Sequence, residues 1–422
     1  MNKLIQTLCG LGMLLAALPT SATNGYFPHG YGLKGKGMAG VSTALAQDSF
    51  GGANNPASMV WVGNRLDLGL EWFRPTRGAE RSGAGFPTLT GSVESGKPNF
   101  FIPEAGFNYM LRSDLSLGVT VYGNGGMNTD YPQGSFDCGG GPANMLCGAG
   151  RLGVDLIQLV VAPTVAYKLN AQHSVGASLL LGYQQFKANG LQAFDNPPGF
   201  PPFTGAPGSV TNNGYDSASG TGVRVGWQGR VSDMVTLGAS YSTKIRMGRF
   251  NKYRGLFAQN GDFDIPANYS LGVAFMPNPR WTYAADFSRI EYSKIQAVGN
   301  SSSIPLPLGS EGGPGFGWRD VSVIKLGVAY QFNDSLILRA GFNRGTNPVR
   351  PEAVTFNIVA PGVPRNHVTL GFTYAPDKDN EITGAFMVAP RESVSGASPL
   401  FGGTEKLSMR QMSIGLAWAR KF

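Results

Sequence analysis

Three patterns in this chain use residue types that chemistry needs. Gly30-Tyr31-Gly32-Leu33-Lys34-Gly35 has the G-x-G-x-x-G spacing of a dinucleotide-binding turn. That turn works only between a strand and a helix, where the pyrophosphate can rest on the helix N-terminus. Here an export leader precedes the glycines, so the dinucleotide reading fails. Gly91 to Lys97 nearly has the spacing of a phosphate-cradling loop, but Pro98 stands where a Ser or Thr hydroxyl must hold magnesium. His29, His173 and His367 are far apart in the sequence, and no serine or acid stands beside them in a catalytic motif. The chain has neither G-x-S-x-G nor H-E-x-x-H. The expectation is a protein that is not an enzyme and has no cofactor and no metal.

The cysteines carry different information. Cys9 lies in the leader, which leaves Cys138 and Cys147 in CGGGPANMLC. In an oxidising compartment this pair is predicted to form a disulfide. Closing a loop of that size contributes ~2–3 kcal/mol on the chain-entropy view.

The elements that would position such groups are strands. Residues 1–22 read as a secretory signal: Lys3 in the n-region, Leu8 to Leu18 as the apolar run, and Thr20-Ser21-Ala22 before the cut. The run is shorter than the ~20 residues a helical span needs. No later apolar run approaches it. Charged residues are only 14% and aromatics reach 11%, a pairing that suits a barrel whose outer face meets lipid. The formal charge of +8 falls by one when Lys3 leaves, and the basic residues are scattered, so nucleic acid is not an expected partner.

From residue 65 onward, apolar residues alternate with polar ones in fourteen segments. In the first, Leu66, Leu68, Leu70 and Trp72 share one face while Asp67, Gly69 and Glu71 share the other. That strand is predicted over Arg65–Phe73, and the last over Ser408–Phe422. Tight links such as Arg112-Ser113-Asp114 and Asn333-Asp334-Ser335 alternate with long ones such as Lys187–Ser219 and Gln296–Arg319. This alternation predicts an all-β, 14-stranded antiparallel transmembrane β-barrel in a bacterial outer membrane, with tight turns toward the periplasm. Residues 65–422 form the barrel. Residues 23–64 form an N-terminal hatch that plugs it, because Gly32 to Met59 is rich in small residues yet carries Met38, Val41, Leu45, Phe50 and Met59 at intervals. A plugged barrel of this size needs no partner, so a monomer is expected.

The resemblance to a known family is carried by Gly37-Met38-Ala39-Gly40, Ala44, Ala46, Asp48-Ser49 and the hatch motif Asn55-Pro56-Ala57-Ser58-Met59. It continues through Leu156 to Pro163, Ile265 to Gly272 and the terminal strand. The mature chain resembles the FadL family of outer-membrane transporters for long-chain fatty acids and other hydrophobic compounds, TodX-like members included. Phe50-Gly51-Gly52 departs from the family pattern. The resemblance implies capture of a hydrophobic ligand by outer loops and sideways release into the membrane through a kink in the third strand. Gly123-Asn124-Gly125-Gly126 supply that kink, since glycine inside a strand marks a bulge or bend.

Two outer loops are apolar enough to capture such a ligand: Leu191, Phe194, Phe200 and Phe203 in one, Phe250, Tyr253, Leu256 and Phe257 in the next. Nearby Arg246, Arg249, Lys252 and Arg254 offer contacts to a carboxylate headgroup or to lipopolysaccharide phosphates. The alternative reading is a general porin, which would need an open lumen. A barrel lipid hydrolase is the third. Residue types do not separate fatty acid from alkane or aromatic hydrocarbon.

Overall fold

The computed structural model describes residues 24–134, 136–198 and 202–422. The leader and Phe200 lie outside them. Fourteen long strands make the wall: β1 (Arg65–Ser82), β2 (Phe100–Arg112), β3 (Leu115–Asn128), β4 (Gly153–Lys168), β5 (His173–Asn189), β6 (Asp216–Arg230), β7 (Val235–Ser242), β8 (Asn268–Asn278), β9 (Trp281–Ile290), β10 (Val321–Asn333), β11 (Leu336–Gly345), β12 (Asn366–Tyr374), β13 (Asn380–Ala397) and β14 (Thr404–Lys421). Each pairs antiparallel with the next. The barrel closes where Arg65 to Ser82 of β1 runs against Lys421 to Thr404 of β14. Closure pairs the first strand with the last, so the sheet has no edge strand, as a sheet in lipid requires.

The alternation read from β1 points as expected. Arg65, Asp67 and Glu71 are buried in the lumen, while Leu68 and Leu70 face outward. An aromatic group marks the tight-turn rim, with Trp281 and Tyr330 ring centroids 4.5 Å apart and Trp281 stacked on Tyr283 at 5.7 Å. Such girdles sit at membrane interfaces.

Several strands run further than the apolar period predicted. β1 continues nine residues past Phe73. There the outward positions are Arg74, Thr76, Gly78 and Glu80, paired with Met412, Arg410, Ser408 and Lys406 of β14. Once a strand rises above the lipid its outer face becomes polar. The hydrophobic alternation then vanishes, although the hydrogen-bond ladder does not. β7 and β8 are shorter than predicted: between them residues 243–267 mostly leave the wall, keeping a bridge at Ile245–Ile265 and a short pairing of Arg246–Met247 with Thr221 and Gly220 of β6.

Residues 24–64 fill the lumen. The short helix Leu33–Lys36 sets two ammonium groups against the wall: Lys34 Nζ lies 2.6 Å from Glu381, and Lys36 Nζ lies 2.7 Å from Glu71 and 3.1 Å from Glu104. Asp286 of β9 accepts from the Ser42 and Thr43 amides at 2.9 and 3.0 Å. The Asn-Pro-Ala motif anchors the far end. Asn55 Oδ1 accepts from the Ala57 amide and caps the turn Pro56–Trp61, while its Nδ2 donates to the carbonyls of Thr43 and Trp227 at 2.8 and 2.9 Å. A side-chain acceptor before Pro at the first turn position is the expected cap chemistry.

Candidate functional site

The ladder between β2 and β3 ends at Ala105–Val121. Above it, β3 continues to pair with β4, but Asn124 is an extra residue between Gly123–Leu159 and Gly125–Gln158. This bulge bends β3 away from β2. Phe100 to Glu104 on β2 and Tyr122 to Asn128 on β3 therefore flank a stretch of wall without cross-strand hydrogen bonds, until the Gly96 amide meets the Asp130 carbonyl at 2.9 Å. Asn124 is held from inside, its Oδ1 accepting from Tyr31 Oη at 3.1 Å and its Nδ2 donating to Gln158.

The first described residues of the hatch occupy the inner side of this bulge. The Gly126 amide donates to the Tyr26 carbonyl at 3.1 Å. Gly125 has φ +144°, and a Cβ there would fall 1.8 Å from the same carbonyl, so only glycine permits the approach. Tyr292 clasps the tip from the opposite side. Its Oη accepts from the amides of Tyr26 and Phe27 and donates to the Asn24 carbonyl at 2.6 Å. Burial pushes both the Tyr26 and Tyr292 phenols well above their ordinary range, which keeps them neutral.

Above the tip lies an almost wholly apolar cavity of about 60 Å³, lined by Leu191, Phe194, Leu256 and Phe257. Those four are residues that the sequence assigned to ligand capture. Phe250 and Tyr253 stand one layer behind, packed on Phe186 with ring centroids 5.6 and 4.9 Å away. Phe203 lines a neighbouring groove together with Phe194. Sequence reasoning missed half of the cavity: Phe316 and Phe356 come from the loops 291–320 and 346–365. Phe316 and Trp318 lie in GPGFGW, where large aromatics among glycines were the available signal.

The four basic residues do not enter this cavity. Arg246, Arg249, Lys252 and Arg254 are all exposed, and none is among its lining residues. Arg249, Lys252 and Arg254 each adjoin buried Phe250 or Tyr253, and Arg246 adjoins buried Met247, so the chain geometry that buries those side chains turns the cations outward.

A second, smaller cavity of about 20 Å³ lies inside the unladdered stretch, between Phe100 and Met127. Its partition from the first is thin. Phe316 and Val359 line the outer cavity, whereas Trp318 and Ala360 line the inner one together with Gly25 of the hatch tip.

Far apart in sequence, His29 and His367 stack in the lumen with ring centroids 6.0 Å apart. Burial pushes His29 down to about 3, with Lys36 and Lys325 adding to the effect. The described residues hold no group of three His, Cys, Asp or Glu side chains that could ligate a metal. Lys36 is shifted the other way: burial would lower it, but Glu104 and Glu71 raise it above its ordinary range. Cys138 and Cys147 are disulfide-bonded with Cα atoms 5.7 Å apart, in the loop between β3 and β4.

Residues 15–399 match the sequence profile of the family described as outer membrane protein transport protein (OMPP1/FadL/TodX). No curated protein matches the chain in sequence. Among solved structures, the toluene transporter TodX of Pseudomonas putida superposes with TM-score 0.69 at 22% identity, covering 95% of this chain and all of that one. A FadL homologue of Pseudomonas aeruginosa gives TM-score 0.69 at 16% identity, covering 94% and 100%. The toluene transporter TbuX of Ralstonia pickettii gives 0.64 at 18%, covering 93% and 99%. At these identities the likeness is one of fold.

Proposed function

This chain belongs to the OMPP1/FadL/TodX family of outer membrane transport proteins, and from that premise we propose that it takes up hydrophobic compounds, long-chain fatty acids among them, by passive diffusion. One observation carries the reading: an apolar cavity under the outer loops is separated only by the hatch tip and two loop segments from a stretch of wall whose ladder is broken. Cargo enters the outer cavity because burial of each methylene contributes ~0.8 kcal/mol. It leaves sideways, between β2 and β3, once the tip at Tyr26 and Phe27 moves. The membrane interior is as good a sink as the cavity, so no energy source is needed. The exposed Arg246, Arg249, Lys252 and Arg254 then meet lipopolysaccharide phosphates rather than cargo. The first and last strands pair with each other at the β1–β14 seam, and on this reading the transporter acts as a monomer.

Deleting Asn124 tests the route. It removes the extra residue and lets β3 run straight beside β2. Cells lacking their own transporter should gain saturable uptake of labelled oleate or toluene with the parent protein and lose it with the deletion, while the barrel still assembles. Undiminished uptake would refute sideways release.

A further inference from the structure

The outer face of the wall carries an arrangement that uptake does not use. Arg391 on β13, Arg410 on β14 and Arg74 on β1 are exposed on three consecutive strands. They stand at one level across the seam where the barrel closes. Arg74 lies opposite Met412 and Arg410 opposite Thr76. Arg391 falls in the β13 bulge, between the pairs Ala389–Gln411 and Glu392–Met409. With strands ~4.8 Å apart, the three positions span roughly 10 Å. Two of the side chains reach across a strand boundary. Arg391 Nη1 donates to Ser408 Oγ at 3.0 Å, and Arg410 Nε donates to Thr76 Oγ1 at 3.3 Å.

Below this row the outward residues are apolar: Phe386 and Val388 on β13, Ile414 on β14, Leu70 and Trp72 on β1. Above it they are polar, among them Ser408 and Lys406. The row therefore marks the level of the lipid headgroups. Among the described residues none of the three arginines is ion-paired, whereas other exposed cations lie against carboxylates: Lys244 on Asp264 at 2.6 Å, Arg289 on Asp320 at 2.8 Å. Glu392, next to Arg391, accepts instead from Arg365 and Asn366, each at 2.8 Å. Glu80 lies higher on β1, opposite Lys406.

Like charges on neighbouring strands destabilise a sheet, and closure sets three of them side by side. An anion held between them removes that cost. Guanidiniums grip phosphate oxygens in pairs of hydrogen bonds, and the apolar face beneath the row suits acyl chains. Arg249, Lys252 and Arg254 sit in a loop, but this row is fixed on hydrogen-bonded strands.

We propose that Arg74, Arg391 and Arg410 form a site for the phosphates of an acylated glycolipid of the outer leaflet, the lipid A part of lipopolysaccharide. The bound lipid bridges β13, β14 and β1 and so staples the closing seam. The inference does not rest on the uptake reading.

The test titrates diphosphoryl lipid A into the full chain in detergent and follows bound lipid by native mass spectrometry. The seam variant is Arg74→Gln, Arg391→Gln and Arg410→Gln together. A control, Arg112→Gln with Arg280→Gln and Lys378→Gln, removes the same charge from exposed tight-turn positions. The seam variant should bind lipid A at least tenfold more weakly than the parent, and the control within twofold of it. Lipid A should also raise the unfolding temperature of the parent and not of the seam variant, since a ligand stabilises only the state that binds it. Equal weakening by both variants, or by neither, overturns the site, as does equal stabilisation of parent and seam variant. Inorganic phosphate at the same concentration should not compete; if it does, the acyl chains contribute nothing and the lipid site is overturned. If the seam variant does not fold, the parent protein decides. It should bind lipid A at least tenfold more tightly than the same lipid stripped of its phosphates, and equal values overturn the proposal.

Discussion

Below the β3 bulge the wall meets the hatch through charge: Lys34 on Glu381, Lys36 on Glu71 and Glu104, Asp286 on two hatch amides. Above it, the same lumen is lined by aromatic and aliphatic side chains and holds open space. The lower half has hydrogen-bonded partners for its buried ions, so it can be dense and impermeable. The upper half has few polar groups to satisfy, so voids there cost little beyond lost dispersion contacts. On the proposed uptake reading, the dense lower half blocks water-soluble solutes and the apolar upper half gives hydrophobic ones a place to rest.

The largest effect should come from the lower half. Lys36→Met leaves Glu71 and Glu104 as a buried acidic pair without a cation, and breaking a buried ion pair typically costs roughly 3–5 kcal/mol. The hatch should loosen, and single-channel conductance in planar bilayers should rise from near silence to open events. A variant as silent as the parent would mean that backbone packing, not charge, seats the hatch. A parent protein that conducts freely would favour a general porin.

A smaller effect is expected in the upper half. Phe194→Asp introduces a carboxylate into the apolar cavity. Uptake of a neutral hydrocarbon should fall about tenfold, equivalent to ~1.4 kcal/mol, with conductance unchanged. If conductance rises as well, the two halves are not independent.

The smallest effect is a pH dependence of the seat. The buried imidazole of His29 is held at about 3, below its ordinary 6.5. A group whose folded-state value is depressed in this way resists protonation only while folded. The seat is therefore at full strength above about pH 6.5 and weakens as pH falls toward 3. Brief openings should appear in conductance traces at pH 4 and not at pH 7, and His29→Phe should remove the difference.

The readability of the chain divides along the same line. The wall was legible because a strand in lipid must alternate, and because tight turns alternate with long loops for one reason only. Asn55-Pro56-Ala57 was legible because a capped turn needs those residues in that order. The upper ends of β1, β13 and β14 were not, since above the lipid the outer face turns polar and apolar residues such as Leu407 and Met409 lie on the inner face instead, so the period loses its phase. Half of the outer cavity was missed for a related reason: Phe316 and Phe356 sit in irregular loops, where no period reports which way a side chain points.

What the sequence determined by itself is the strand count, the barrel, the hatch and the tendency of β3 to bend at Gly123 to Gly126. All of these follow from local spacing, which a chain obeys wherever it folds. Only the tertiary structure decided which charges meet and which do not. Arg77 and Arg81 have the same spacing and face the same lumen, yet one reaches Glu405 and the other reaches only neutral acceptors. That difference depends on the seam where the barrel closes, which sets Glu405 of β14 directly opposite Arg81 of β1, and no local pattern encodes it.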